Sequence, residues 1–312
     1  NPFLLKTFFS PKKSWIWLIL LIFFLWLAYP ILRVGAFLIF DPIPKDQTFT
    51  LNETQINDAS GLNQTEHSGI TVLSSDLNQS ILTLQSILKQ AHSNRKRIIP
   101  LGARHSMGKQ SIGKGAIHID LSQLNQMRME NGLLRVQSGA RWKEVLQFLA
   151  PLGMSVEVMQ SNADFSIGGT LSVNAHGWQP DRPPVSSTVQ QITLMNASGE
   201  VMMCSRNENA ELFKHAMGGY GLIGIILEVW IKPVPNEILR SSHKIVKCEN
   251  FNREWSRIKE RPVRLAFGRL SVAPNTFFQQ VLLTSYQSTG DLSNQAAEYQ
   301  PTMKTSLARA LF

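Results

Sequence analysis

The residues best suited to chemistry lie in one loop, Leu101-Gly102-Ala103-Arg104-His105-Ser106-Met107-Gly108-Lys109-Gln110. Its glycines allow close approach of backbone to a ligand, and successive inward N–H groups make an anion site. Between Leu77 and Ile119 there is no Asp or Glu, whereas Lys89, Arg95, Lys96, Arg97, Arg104, Lys109 and Lys114 all fall there. Such a loop suits a pyrophosphate. Taken alone it leaves a second reading open, a surface turn with solvated basic residues. His105 adds an imidazole, which is nucleophilic when neutral and sheds its proton near physiological pH.

Three further small-residue stretches follow: Ser166-Ile167-Gly168-Gly169-Thr170, Asn174-Ala175-His176-Gly177 and Gly218-Gly219-Tyr220-Gly221-Leu222-Ile223-Gly224-Ile225. The residues from Gly219 to Gly224 fit G-x-G-x-x-G, but a Rossmann loop follows a strand and opens a helix. This one follows a helical pattern and enters a strand, so close backbone approach or a plain turn are its two readings. No H-E-x-x-H or G-x-S-x-G frame supports zinc chemistry or Ser-His-Asp hydrolysis. Cys204 and Cys248 define neither a disulfide framework nor a metal site.

The elements that must position these residues are read from periodicity. Ile70 to Leu73 is a short strand, and Asp76 to Ala91 is a helix with Ser75 or Asp76 as its cap. A strand from Arg97 to Leu101 delivers the loop. Strands are expected at 117–121 and 133–137, where His118 reads as a sheet residue rather than a ligand. An amphipathic helix spans Arg141 to Ala150, and Gly168 to Ala175 forms a closely packed helix. Gln190 to Met195 and Val201 to Ser205 make a hairpin, Asn209 to Met217 a helix and Ile225 to Ile231 an apolar strand. Beyond Leu239 a helix over 251–259 and strands over 265–272 and 277–286 begin another domain.

Ser14 to Leu32 is uncharged and almost wholly apolar, long enough at about 1.5 Å per residue to span a bilayer core of roughly 30 Å. Trp15, Trp17 and Tyr29 sit near its ends, as interfacial rings do. A signal peptide is the alternative, but no good small-residue cleavage site follows. Lys6, Lys12 and Lys13 before the span, against Arg33 and Lys45 after it, favour a domain on the non-cytoplasmic side. Asn52-Glu53-Thr54 and Asn63-Gln64-Thr65 are glycosylation acceptors if the chain is exported. The net charge of +9 suits anionic partners, while no RNP, zinc-finger or helix-turn-helix pattern points to nucleic acid.

In their order, the loop and the three stretches resemble the vanillyl-alcohol oxidase/p-cresol methylhydroxylase family of FAD flavoproteins, from about Thr71 to Pro235. The resemblance implies an α+β fold: a PCMH-type FAD-binding domain of two sub-domains around a mixed sheet, then a substrate or cap domain on an antiparallel sheet. Expected boundaries are 1–40 for the membrane anchor, 41–69 for a polar linker, 70–238 for the FAD domain and 239–312 for an incomplete cap. The chain starts without Met and its relatives run further, so it reads as a fragment. FAD contacts are implied at Gly102, Ala103, Arg104, His105, Ser106, Met107, Ser161, Ser166, Gly168, Gly169, His176, Gly177 and Ile225.

By the same resemblance, the imidazole of His105 bonds covalently to the flavin 8α-methyl carbon, or else lines the site. Arg104 stands where glycine is commoner and either meets a phosphate or points to solvent. His176 is either beside the cofactor or packed in the core. The loop pattern is similar to sugar-lactone and alditol oxidases and to decaprenylphosphoryl-ribose oxidases. It implies a membrane-anchored FAD-dependent oxidoreductase that moves hydride from a sugar, alditol or prenyl-linked sugar alcohol to flavin N5. Oxygen, a quinone or another acceptor takes the electrons, and the catalytic base is expected beyond Phe312. The alternatives are an NAD(P)H-driven flavin reductase and a non-catalytic membrane-tethered binding protein.

Overall fold

A computed structural model describes residues 11–40 and 53–295. The chain divides into two units, Asn1–Thr50 with Ala297–Phe312, and Leu51–Ala296. In the first, helix α1 covers Pro11–Phe40. Its side chains at Trp15 and from Trp17 to Leu27 are exposed and apolar. No helix among the described residues is long and apolar enough to cross a membrane; in α1 the described side chains run unbroken only over 17–29. The transmembrane span expected from Ser14 to Leu32 is therefore not shown at that length.

The second unit opens with two short strands, β1 (Gln55–Ile56) and β2 (Thr65–Glu66), paired antiparallel. Strand β3 (Gly69–Val72), helix α2 (Leu77–Ser93) and strand β4 (Ile98–Leu101) follow, then β5 (Ile117–Asp120). Asp76 caps α2 by accepting from the Gln79 N–H at 2.7 Å. The order β3-β5-β4 is wholly parallel. Pro100 is tolerated in β4 because that strand lies at the sheet edge, where a missing N–H breaks no central ladder. Parallel neighbours cannot be joined by a tight turn. The chain between β4 and β5 must therefore travel back along the sheet, and that crossover is the loop singled out above.

Strands β6 (Met127–Glu130) and β7 (Leu133–Gln137) lead to helix α3 (Trp142–Leu149), strand β8 (Met154–Val156) and helix α4 (Ile167–Ser172). Strands β9 (Val189–Met195) and β10 (Val201–Ser205), helix α5 (Ala210–Ala216) and strand β11 (Ile225–Ile231) complete a five-stranded antiparallel sheet ordered β10-β9-β11-β7-β6. Every residue of β11 is buried, so its sequence is apolar on both faces except at Glu228, whose carboxylate is paired with Arg135 at 2.7 Å. Ile225 and Leu227 join the core under α2, whereas Ile226, Val229 and Ile231 join the one holding Trp142, Val145, Ile167 and Leu171. One strand thus walls two cores. The single mixed sheet expected is two separate sheets, one parallel and one antiparallel.

After β12 (Pro233–Pro235), paired with β8, come β13 (Glu237–Lys247), α6 (Phe251–Lys259), β14 (Val263–Leu270) and β15 (Gln280–Leu292). The three long strands form an antiparallel sheet ordered β13-β15-β14. Phe251, Trp255 and Ile258 of α6 cover one face against Val246, Val281 and Leu283. Phe267 on the opposite face stacks on Trp178 at 4.1 Å, and the Ala266 N–H donates to the Trp178 carbonyl.

The polar linker expected over 41–69 is corrected for residues 53–69. They carry β1, β2 and part of β3, and bury Ile56, Asn57 and Asp58. Ile56 packs with Leu101 and Ile112. Asn57 accepts from the Asp58 and Asn63 N–H groups, and Asp58 accepts from Ser60 and Asn63 of its own segment and from Ser106 and Lys109 of the loop. Residues 41–52 lie outside the described residues, as does Asn52. Asn63, the other glycosylation acceptor, donates its amide to Asp58, Ser60 and the Met107 carbonyl.

Candidate functional site: a glycine-lined cleft at the end of β4

A cleft of about 320 Å³ opens at the carboxyl end of β4. Its walls come from residues 99–106, from Phe165, Ser166, Gly168 and Gly169 at the start of α4, and from Tyr220, Gly221 and 224–226 at the entry to β11. Ligands of open parallel sheets bind beyond the carboxyl ends of strands, where the connecting loops diverge.

Missing side chains make the cleft possible. A Cβ on Gly102 would collide with the Ser166 hydroxyl, one on Gly168 would press on Ser138 at 3.0 Å, and one on Gly224 would meet the Met195 carbonyl at 2.5 Å. Within residues 102–106, only the Ala103 N–H has a partner, the Ser166 hydroxyl at 3.3 Å. The N–H groups of Gly102, Arg104, His105 and Ser106 find no acceptor among the described residues. Nearby, the buried hydroxyl of Ser138 also lacks a partner and lines the same cleft. Unpaired donors of this density at a glycine-built surface fit an anion such as a pyrophosphate.

Helix α4 behaves differently from expectation. Its first N–H groups are spent within the protein: Ile167 on the Ala140 carbonyl, Gly168 on the Ser138 carbonyl and Gly169 on the Ser166 hydroxyl. Ser166 and Gly168 thus shape the cleft, while the free donors belong to the loop.

His105 is half-buried with its ring 4.7 Å from Phe165, and its ring nitrogens bond to nothing among the described residues. Arg104 before it has φ 54°, the left-handed region that favours glycine, which accounts for glycine being the commoner residue at this place. The Arg104 side chain is exposed.

Gly102, Ala103, Arg104, His105, Ser106, Ser166, Gly168, Gly169 and Ile225 all line the cleft; Met107, Ser161, His176 and Gly177 do not. Met107 is 80% exposed on the outer side of the loop. Ser161 and His176 are exposed, and His176 touches only the carbonyl of its neighbour Gly177. Gly177 serves packing, since a Cβ there would strike the Met159 carbonyl. His118 is a sheet residue, fully buried on β5, whose Nε2 accepts from the Gly113 N–H at 3.2 Å. Burial, together with the nearby His67 ring, holds its imidazole below its ordinary pKa of 6.5.

Sequence reasoning missed Ser138, Phe165 and Asp58. No local pattern marks them, because each acts on a residue far off in the chain. Asp58 is 6% exposed and accepts from the Ser106 hydroxyl and the Lys109 N–H, both at 3.1 Å. Burial raises its carboxyl, but hydrogen bonds from Ser60, Lys109 and Ser106 together outweigh that and hold it below the ordinary 3.8.

Comparison with known proteins puts most of the cleft's lining within a recognised domain. Residues 78–205 match the family model described as FAD binding domain. D-arabinono-1,4-lactone oxidase of Debaryomyces hansenii is 29% identical over 191 residues, covering 56% of this chain and 34% of that protein. The enzyme of the same name from Saccharomyces cerevisiae is 25% identical over 183 residues, covering 56% of this chain and 35% of its own length. L-galactono-1,4-lactone dehydrogenase of Brassica oleracea is 24% identical over 182 residues, with 58% and 30% covered. The chain spans about a third of the length of these relatives. The free donors of residues 102–106, the close-approach glycines and the unpaired Ser138 hydroxyl fit the dinucleotide that this domain holds. Residues 78–205 match an FAD-binding domain, the cofactor is FAD, and the chain is similar to the sugar-lactone oxidases and dehydrogenases.

Proposed function

We propose that the protein is an FAD-dependent oxidoreductase that oxidises the CH–OH group of a sugar lactone, or of a related sugar or alditol. The observation that carries the reading is the set of free N–H groups at residues 102 and 104–106, with the His105 ring against Phe165. When bound, the flavin supplies the two-electron acceptor for the substrate C–H hydride. The chain's own residues hold and shield it. The loop donors grip the pyrophosphate, Ser138 offers one more hydroxyl, and Ile225 with Gly224 borders the adenine side. His105 is the proposed covalent anchor through an imidazole nitrogen, and the Phe165 ring limits its rotation. What supports a sugar-lactone substrate is that the similar proteins are lactone oxidases and dehydrogenases, and the substrate-facing side belongs to the sheet of β13, β14 and β15.

Membrane anchoring belongs to the same proposal. It rests on the uncharged stretch from Ser14 to Leu32 and on apolar side chains exposed from Trp17 to Leu27, a patch larger than water-facing helices leave uncovered. Alkaline carbonate extraction of cells expressing the full-length protein is expected to leave it in the membrane pellet; release into the wash would remove the anchor.

The activity test is anaerobic reduction. The full-length protein, loaded with FAD, is expected to bleach near 450 nm on addition of an aldonolactone or alditol and to stay yellow with NADH or NADPH. Bleaching by a nicotinamide alone would convert the reading to a flavin reductase.

A further inference from the structure

The segment before β2 acts on the loop that bears His105, and it does so from both sides of that residue. The Ala59 N–H donates to the Arg104 carbonyl at 2.9 Å. Asp58 Oδ2 accepts from the Ser106 hydroxyl and from the Lys109 N–H. Asn63 gives its amide to Asp58 Oδ2 at 3.0 Å and to the Met107 carbonyl at 3.2 Å. Residues 104, 106, 107 and 109 are thereby fixed to 58–63, while the His105 ring itself is left unbonded.

Two residues in this stretch, Arg104 and Lys109, hold left-handed backbone at φ 54° and 68°. Such conformations persist only where the surroundings over-determine them. Both are tied to Asp58 or Ala59. The carboxylate is buried and anionic, yet among the described residues it pairs with no cation: its donors are hydroxyls, an amide and backbone N–H groups. A buried charge with those partners is a strong local organiser, because each charge-assisted bond is about twice a neutral one.

We propose that Asp58 is the positioning residue of the flavin site: it holds residues 104–109 in the strained shape that aims the free N–H groups and His105 into the cleft. The inference rests on the flavoprotein reading but concerns a residue outside the matched FAD-binding domain, which begins at residue 78. Asp58 does not touch the cofactor; its effect passes through Ser106 and Lys109.

The experiment is a double-mutant cycle on FAD affinity in the full-length protein carrying His105→Ala, in which no covalent link can form and uptake is reversible, with Asp58→Asn, Ser106→Ala, the pair together, and Asp58→Glu as the conservative variant. FAD uptake is followed by quenching of flavin fluorescence, and loop order by amide hydrogen exchange across 104–109. Asp58→Asn keeps the volume but turns an amide toward the donors. It is expected to weaken FAD binding roughly tenfold or more and to speed exchange at 104–109, while amides of β11 keep their protection. The double variant is expected to lose no more than Asp58→Asn alone, because Ser106 acts through the same carboxylate, and Asp58→Glu is expected to recover part of the affinity. Unchanged FAD affinity on adding Asp58→Asn, or losses that simply add, would overturn the proposal. Failure of the wild-type protein to take up FAD would instead strike the flavoprotein reading. The exchange rates would then decide whether Asp58 orders the loop, and unchanged rates would overturn that as well.

Discussion

The two walls of the cleft both start from glycine and serine, yet they do opposite things with their N–H groups. At the start of α4 the donors of Ile167, Gly168 and Gly169 are consumed by Ala140, Ser138 and Ser166. In the loop after β4 four of five stay free. A helix N-terminus is a ready anion site only when its donors point outward. Here α4 spends them docking onto the chain around 138–140, and the irregular crossover between two parallel strands carries the binding donors instead. One wall is scaffold and the other is grip.

Substitutions separate the two. The largest effect is expected at Gly102, where any side chain must displace Ser166 and with it the junction of both walls. Gly102→Val should reduce FAD affinity by about two orders of magnitude or abolish uptake, as followed by fluorescence quenching, because a well-packed contact has no room for added methyl groups. Retained affinity would mean that the loop binds nothing at this point.

On the scaffold wall, Ser166→Ala removes the acceptor of both the Ala103 and Gly169 N–H groups. With a residue 3% exposed, it should lower stability by about 1–2 kcal/mol in denaturant unfolding of the apoprotein. Its FAD affinity should fall less than that of Gly102→Val. The reverse ranking would make α4 the gripping wall.

The far end of the loop supplies a pH test. His118 is neutral in the fold and accepts from Gly113, and its pKa lies below the ordinary 6.5. The unfolded chain therefore takes up this proton first as pH falls. Stability from His118 is complete above about pH 6.5 and is lost as pH drops below it, with a slope of at most about 1.4 kcal/mol per unit for one proton. His118→Gln, whose amide oxygen still accepts without titrating, should flatten the stability curve below about pH 6.5. Asp58 acts in a separate, lower window, since its depressed carboxyl contributes above about pH 4 and is lost on further acidification. An unchanged slope in His118→Gln would place the titrating group elsewhere.

The smallest effect is expected at Arg104. Arg104→Gly relieves left-handed strain but adds freedom to the unfolded chain, so stability should rise by less than about 1 kcal/mol in thermal melts. A clear fall would show that the guanidinium holds the loop.

What could be read from the sequence was whatever has a local signature. The Asp76 cap, the apolar spacing of α2, the 189–205 hairpin and the strongly apolar run of β11 all announce themselves within a few residues. So did the loop and most of its cleft-lining residues. The clamp over 57–63 did not, because its partners stand 44 to 51 residues away and its polar composition imitates a linker. Nor could the sequence tell that α4 spends its donors internally, since Ser-Ile-Gly-Gly reads the same whether its N–H groups face a ligand or the carbonyls of 138 and 140. Met107, Ser161, His176 and Gly177 were drawn in by neighbourhood: each stands close in sequence to a residue or stretch bordering the cleft but points elsewhere in space.

The central claim is that the loop bearing His105 grips FAD. Its most direct test is acid precipitation of the full-length protein, with wild type and His105→Ala compared by visible spectrum and in-gel fluorescence. The account predicts a yellow, fluorescent pellet for wild type and a colourless pellet for His105→Ala. A colourless wild-type protein that takes up no added FAD would contradict it.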